Sequence, residues 1–266
     1  MLTRLRSANI TVMVQAAQRA ARALLRDFGE VENLQVSIKG PGDFVSAADR
    51  KAEETITREL GRARPTFGFL LEEGGLIEGN DAEHRFIVDP LDGTTNFLHG
   101  LPHFAISIGL EIRGELVAGV IYDPVKDELF AAEKGSGAYL NERRLRVSAR
   151  TELASSMIAT GIPVLDWEGR AKGFAAQLDR VADHVAGIRR FGTASLDFAY
   201  LAAGRYEGFW EYGLKPWDMA AGIVIVREAG GLVGKLEDDD LLKPGTIVAG
   251  NPAVQPRLVE ILRRAV

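Results

Sequence analysis

The chain has 266 residues, 46% hydrophobic and 26% charged, with a formal net charge of −5. A chain of that length buries a sizeable core without staples, and having no cysteine it has no disulfide, thiolate metal site or cysteine nucleophile. The acidic balance argues against a duplex-binding protein, whose affinity rests on neutralised phosphates. A local basic patch stays open, but Arg143, Arg144, Arg146 and Arg150 read first as a solvated hairpin.

In chain order, Ile10, Val14, Ala17, Ala21, Leu24, Leu25 and Phe28 draw one apolar face on a helix over 8–28, with Gly29 as its stop. Arg and Gln interrupt that stretch too often for a signal-peptide core. Two glycines and a proline make "KGPGD" (39–43) a loop. Ser46 and Asp49 have capping-box spacing and open a helix to about residue 63, with Ala52, Ile56 and Leu60 inward. "FGFLLEEGG" (67–75) reads as a strand ending in two glutamates, and "RFIVDP" (85–90) as a second strand ending in acid. Three antiparallel strands follow at 104–112, 115–124 and 128–135, with Arg113-Gly114 as the first turn, then a hairpin over 137–148. From about residue 155, strands (156–163, 186–192, 205–213, 246–250) alternate with helices (168–184, 195–204, 218–231, 252–265). The apolar run Ile223–Val226 is far short of the ~20 residues a membrane-spanning helix needs, so the protein is expected to be cytoplasmic. The acidic run 237–240 reads as a solvated turn. No linker divides the chain. The expectation is one domain over 1–266, with an α+β half over 1–150 and an α/β half over 151–266.

Acids stand at four element ends. Glu72 closes one strand, Asp89 closes another, Asp92 opens the turn of "VDPLDGTTNF" (88–97), and Asp218 starts a helix in "KPWDMAAG". Any one of these aspartates alone is best read as a cap. Together they suit a hard divalent cation. Mg²⁺ takes one or two carboxylates with waters and phosphate oxygens, and convergent carboxylates repel unless cations join them. Gly93-Thr94-Thr95 follows at once. A helix opened there points its first N–H groups outward, and Gly93 lets an anion approach the backbone. Acids for metal beside amides for phosphate point to metal-dependent phosphoryl transfer.

"DPLDGTTNF", the "EE" at 72–73 and "WDMAAG" at 217–222 together resemble the inositol monophosphatase family, part of the magnesium-dependent, lithium-sensitive phosphatase superfamily. The bacterial members look most similar. The resemblance runs nearly end to end, from "DFVSAADRKAEE" through "GTASLDFAYLAAGRYEGFWEYGLKPWD" to "REAGG". It implies a layered αβαβα fold, a homodimer and about two to three Mg²⁺ per site. It also implies roles. Glu72, Asp89, Asp92, Asp218 and the main-chain carbonyl of Leu91 would be metal ligands, with Pro90 fixing the bend that exposes that carbonyl. Thr94 with Glu72 would orient and help deprotonate the attacking water, and Asp49 would hold Thr94. The amides of Gly93 and Thr94 would bind phosphate. Asp92, Gly192, Thr193, Ala194 and Glu211 would line the substrate, with Glu211 accepting from its hydroxyls. Lys39 would lie on a mobile loop over the metals. "LLEEGG" departs from the family's common Gly-Glu-Glu-Ser: Leu71 and Gly74 stand in place of Gly and Ser, so the loop after Glu72 is expected to differ.

The histidines at 84, 99, 103 and 184 lack metal spacing, and neither G-x-S-x-G nor G-x-x-x-x-G-K-[ST] occurs. Trp210 and Trp217 read as core. The expected activity is hydrolysis of a small polyol or sugar phosphate, inositol-1-phosphate first. Phosphatases of fructose bisphosphate, histidinol phosphate, adenosine bisphosphate or NADP stay open within the superfamily. So does a regulatory role in RNA or transcription, with catalysis secondary.

Overall fold

The computed structural model describes residues 7–30, 36–40, 43–162, 170–237 and 240–264, with main chain alone at 36–40, 43–46 and 170–172. Ser7 caps α1 (Ala8–Phe28), its Oγ accepting the Ile10 N–H at 3.1 Å. The predicted face of α1 is buried from Ile10 to Leu24, whereas Leu25 is exposed. α2 (Ala47–Ala63) packs Ala52, Ile56 and Leu60 into the same core. The segment between them corrects the loop prediction. β1 (Val36–Gly40) and β2 (Asp43–Ser46) form an antiparallel hairpin. Lys39, Gly40 and Asp43 of the predicted loop lie in these strands, and residues 41–42 lie outside the described residues.

An eight-stranded sheet follows, in the order β10-β9-β8-β7-β6-β5-β3-β4. Its strands are β3 (Phe67–Leu71), β4 (Gly75–Ile77), β5 (Asp81–Asp92), β6 (Ala105–Ile112), β7 (Glu115–Asp123), β8 (Glu128–Glu133), β9 (Gly137–Leu140) and β10 (Arg143–Arg144). β6, β7 and β8 are consecutive and antiparallel as expected, and Arg113 and Gly114 make their first turn with φ of 55° and 78°. β4 was not anticipated, because three residues with Leu76 and Ile77 exposed carry no alternation. β5 is longer than expected and runs past Asp89 and Pro90 to Asp92, with its register against β6 shifting between Asp89 and Asp92.

The second sheet has the order β12-β11-β13-β15-β14, built from β11 (Met157–Thr160), β12 (Gly187–Arg189), β13 (Gly208–Tyr212), β14 (Leu232–Lys235) and β15 (Thr246–Gly250). β11 runs parallel to β12 and β13, while β15 is antiparallel to β13 and β14. β14 was also missed; it is a short edge strand starting in exposed Leu232. Of the predicted solvated acids at 237–240, Glu237 instead accepts both the N–H and the Oγ1–H of Thr246 at 2.8 Å, and 238–239 lie outside the described residues.

Strand alternation sorts the core into layers. Ile106, Ile108, Val120, Leu129 and Ala131 face α1 and α2, while Ala105, Ile121, Phe130 and Ala132 face the opposite way. There they meet α5 (Ala194–Ala202) and α6 (Pro216–Glu228), which also touch Ala159, Phe209, Ile247 and Ala249 of the second sheet. Ile158, Trp210 and Val248 face outward onto α4 (Arg170–Ala182) and α7 (Gln255–Arg263). This is the αβαβα layering. A helix between two sheets is buried on every side, which is why "MAAGIVIV" shows no polar face. No helix among the described residues is long and apolar enough to cross a membrane. α6 sits close enough to the first sheet that a Cβ on Gly119 would lie 2.4 Å from the Ala221 carbonyl oxygen.

Candidate active site

The carboxylates gather where β3 and β5 end and where α3, α5 and α6 begin. Leu71 is buried in the first core, and the chain turns there to carry Glu72. The Glu73 N–H donates to Glu53 Oε2 at 2.9 Å, and Gly74 packs against Leu71 and Glu53. Leu71 and Gly74 thus have a packing reason for departing from the expected motif. Asp89 is 2% exposed, and its Oδ1 accepts the Leu91 N–H at 3.0 Å across Pro90. This tight loop breaks the register of β5 and turns the Leu91 carbonyl toward Thr94, whose Oγ1 lies 3.0 Å from it and 3.0 Å from Asp49 Oδ1. Asp49 comes from the first turn of α2 and is fully buried. Its predicted capping partner Ser46 has a side chain outside the described residues.

Gly93 caps the short helix α3 (Thr94–Leu98) with a φ of 91°, which a side chain would strain. A Cβ there would also lie 2.4 Å from Thr193 Oγ1. Gly93 therefore lets the turn after β5 touch the start of α5. Asp92 crosses the same junction, accepting the Ser195 N–H at 2.6 Å. Asn96, singled out by no motif reading, completes it. Its amide donates toward the carbonyls of His103 and Phe191 at 2.9 Å and lies 3.3 Å from Thr193 Oγ1. Gly192, Thr193 and Ala194 are thereby held against the Gly93 turn. Beneath α3, Phe28, Phe97 and Phe104 form an aromatic cluster with ring centroids 5.0–5.6 Å apart.

Asp218 enters from the N-terminus of α6, where its Oδ2 accepts the Lys215 N–H at 2.6 Å. The capping role is real and leaves the carboxylate facing the other acids. Burial first, then Glu72, Asp92 and Asp218, push the Asp89 carboxyl well above the usual range, and a hydrogen bond with Glu72 adds to it. Burial and then Asp92 do the same to Asp218, against the Lys215 N–H. Asp92 is raised to about 6 by burial, with the amides of Ser195, Ala194 and Gly93 pulling the other way. Glu211, at the end of β13, is pushed up by burial and by Asp197 and Asp92, with Arg190 opposing. Asp197 is itself buried, hydrogen-bonded by Tyr206 at 3.0 Å, and was not foreseen. Arg190 lies over Gly192, at 2.6 Å from where its Cβ would be. Contacts such as these join positions far apart in the chain and leave no local pattern to read.

Among the described residues, no group of three or more His, Asp or Glu side chains is drawn together as the shell of one ion. The charges of Glu72, Asp92 and Asp218 all bear on Asp89. Their chemistry suits Mg²⁺, which needs one or two carboxylates from protein and fills the rest with water, carbonyl and phosphate oxygens. The main chain of Lys39 lies in β1, not in a loop, and its side chain is outside the described residues. His84 pairs with Asp81 at 2.8 Å and stacks on Phe67 at 4.4 Å, and His103 packs against Phe191 at 5.3 Å. Trp210 is core, 1% exposed.

Residues 6–266 match the inositol monophosphatase family. The chain is 56% identical over 260 residues to an inositol-1-monophosphatase of Mesorhizobium japonicum, covering 97% of each. It is 43% identical to a Pseudomonas aeruginosa protein named Nus factor SuhB, covering 96% of this chain and 98% of that one. The crystal structure of the extragenic suppressor protein suhB of Bartonella henselae superposes with a TM-score of 0.94 at 58% identity, covering 98% of this chain and all of that one. A layered sandwich with its acids at these strand and helix ends, matched across nearly its whole length, places the chain in the inositol monophosphatase family, as a phosphatase enzyme.

Proposed function

We propose that the chain is one catalytic domain, a magnesium-dependent phosphomonoesterase that hydrolyses inositol-1-phosphate or a closely similar polyol phosphate. The observation that carries this reading is the set Glu72 after β3, Asp89 and Asp92 in the last residues of β5, and Asp218 at the start of α6, beside the Gly93–Thr94 turn. Glu72, Asp89, Asp92, Asp218 and the Leu91 carbonyl would hold two Mg²⁺, with a third joining when substrate is present. Bound Mg²⁺ would supply positive charge to keep these acids ionised and to polarise the phosphoryl group. Asp49 fixes Thr94 Oγ1, and Thr94 with Glu72 orients the attacking water and receives its proton. The amides of Gly93 and Thr94 hold the phosphate oxygens. Glu211, an acceptor only when ionised, takes hydroxyls of the alcohol, beside Gly192, Thr193 and Ala194. The same family likeness supports a homodimer and inhibition by Li⁺.

The test is a panel of polyol, sugar and nucleotide phosphates ranked by kcat/KM with Mg²⁺. Inositol-1-phosphate should lead. Fructose bisphosphate, histidinol phosphate, adenosine bisphosphate or NADP in first place would move the assignment within the superfamily. A second reading, a role in transcription, is favoured by the relative named Nus factor SuhB. It would gain ground if the purified chain released phosphate from nothing in the panel.

A further inference from the structure

Gly161 follows directly on the end of β11. β11 and β13 run parallel with Ala159 beside Phe209 and Thr160 beside Trp210, so the next step sets Gly161 beside Glu211. Alternation fixes the faces. Ile158 and Trp210 belong to the outer core, while Ala159 and Phe209 belong to the inner one. Gly161 and Glu211 continue that inner line. The carboxylate of Glu211 lies directly on the glycine. A Cβ at 161 would stand 1.8 Å from Oε1, 2.0 Å from Cδ and 2.4 Å from Oε2, and these are its three nearest atoms. Gly161 has no positive φ, so its backbone does not call for glycine. Neighbouring charge agrees with the pose, because Asp197 and Asp92 stand close enough to repel Glu211.

We propose that Gly161 is a specificity-determining positioning residue: its missing side chain leaves the space in which the Glu211 carboxylate lies to meet the hydroxyls of the substrate alcohol. This rests on the reading of Glu211 given above. A methyl group at 161 must displace the carboxylate, since the two cannot overlap. The phosphate end of the site, built from β5, α3 and α6, would be untouched.

The experiment is a double-mutant cycle with Gly161→Ala, Glu211→Ala and both together. Each variant is assayed with Mg²⁺ on inositol-1-phosphate and on p-nitrophenyl phosphate, which has no ring hydroxyls. The readout is the ratio of the two kcat/KM values. Glu211→Ala should lower that ratio by roughly 10- to 150-fold, the range for a charged hydrogen bond. Gly161→Ala should lower it by at least about 10-fold on the same grounds, and adding it to Glu211→Ala should change nothing further. If Glu211→Ala leaves the ratio alone, the reading of Glu211 fails and takes the proposal with it. If Glu211→Ala lowers the ratio but Gly161→Ala does not, or if the two losses add, the proposal alone is overturned. Should Gly161→Ala fold poorly, the double variant lacks the carboxylate in conflict and must fold as Glu211→Ala does; if it does not, Gly161 serves packing and the proposal is wrong.

Discussion

Changing Asp92 to asparagine keeps the shape of the side chain and removes its charge. The charge of Asp92 bears on both Asp89 and Asp218, and its Oδ2 takes the Ser195 N–H at 2.6 Å. Activity should fall by at least ~10²-fold, on the scale of losing one main electrostatic stabiliser. Thermal stability without metal should hold or rise, because one repelling buried charge has gone. A sharp drop in melting temperature with activity intact would make Asp92 a structural cap. His103 gives a separate pH prediction. Burial, and then the charge of Lys126, lower its pKa from 6.5 to about 4, with Asp123 opposing. Its Nε2 is buried without a hydrogen-bond partner. Between those values the unfolded chain takes up the proton and the folded chain does not, so stability present above 6.5 is lost as pH falls toward 4. Urea midpoints of wild type and His103→Gln, compared at several pH values, should differ in slope over that window. Parallel curves would mean that the folded protein tolerates the imidazolium.

At the scale of elements, the glycine contact under α6 links packing to the site. An alanine at 119 would press on the Ala221 carbonyl, which belongs to helix backbone and cannot step aside. Overpacking of this kind costs about 1–3 kcal/mol. α6 also carries Asp218, so Gly119→Ala should lower the melting temperature and raise the Mg²⁺ concentration needed for half-maximal activity. A lower melting temperature with the Mg²⁺ requirement unchanged would show that the shift of α6 does not reach its N-terminus. The acids proposed for the site stand out in the sequence because each stands at an abrupt break: Glu72 after "FGFLL", Asp89 before Pro90, Asp92 before Gly93, Asp218 after Pro216 and Trp217. The layering was legible in strands whose residues alternate between two cores. What stayed hidden lacked a local pattern. β4 and β14 are short, β4 ending in exposed Leu76 and Ile77 and β14 starting in exposed Leu232, and the β1–β2 hairpin takes up residues of a glycine-rich stretch that reads as loop. Asn96 and Asp197 matter through contacts reaching across the fold, such as Asn96 to Phe191.

At the scale of the whole molecule, net charge tells little, because the charge that matters is local. Four ionised carboxylates and a phosphate dianion sum to about −6, which three Mg²⁺ would bring near zero and two would not. Calorimetric titration should therefore show two ions bound by the protein alone and a third, weaker one that needs substrate or a product-like ligand. One ion per active chain would contradict that count. Mg²⁺ should also raise the melting temperature by relieving repulsion that the folded chain bears alone, and it should do so less in Asp92→Asn. The central claim is that these four acids work through bound Mg²⁺ on a phosphate monoester. It is tested most directly by phosphate release from inositol-1-phosphate during Mg²⁺ titration of the EDTA-stripped enzyme. The account predicts no release without Mg²⁺, recovery with a saturable dependence on it, and loss of that recovery in Asp92→Asn. Release that persists in EDTA, or that Asp92→Asn leaves intact, would contradict it.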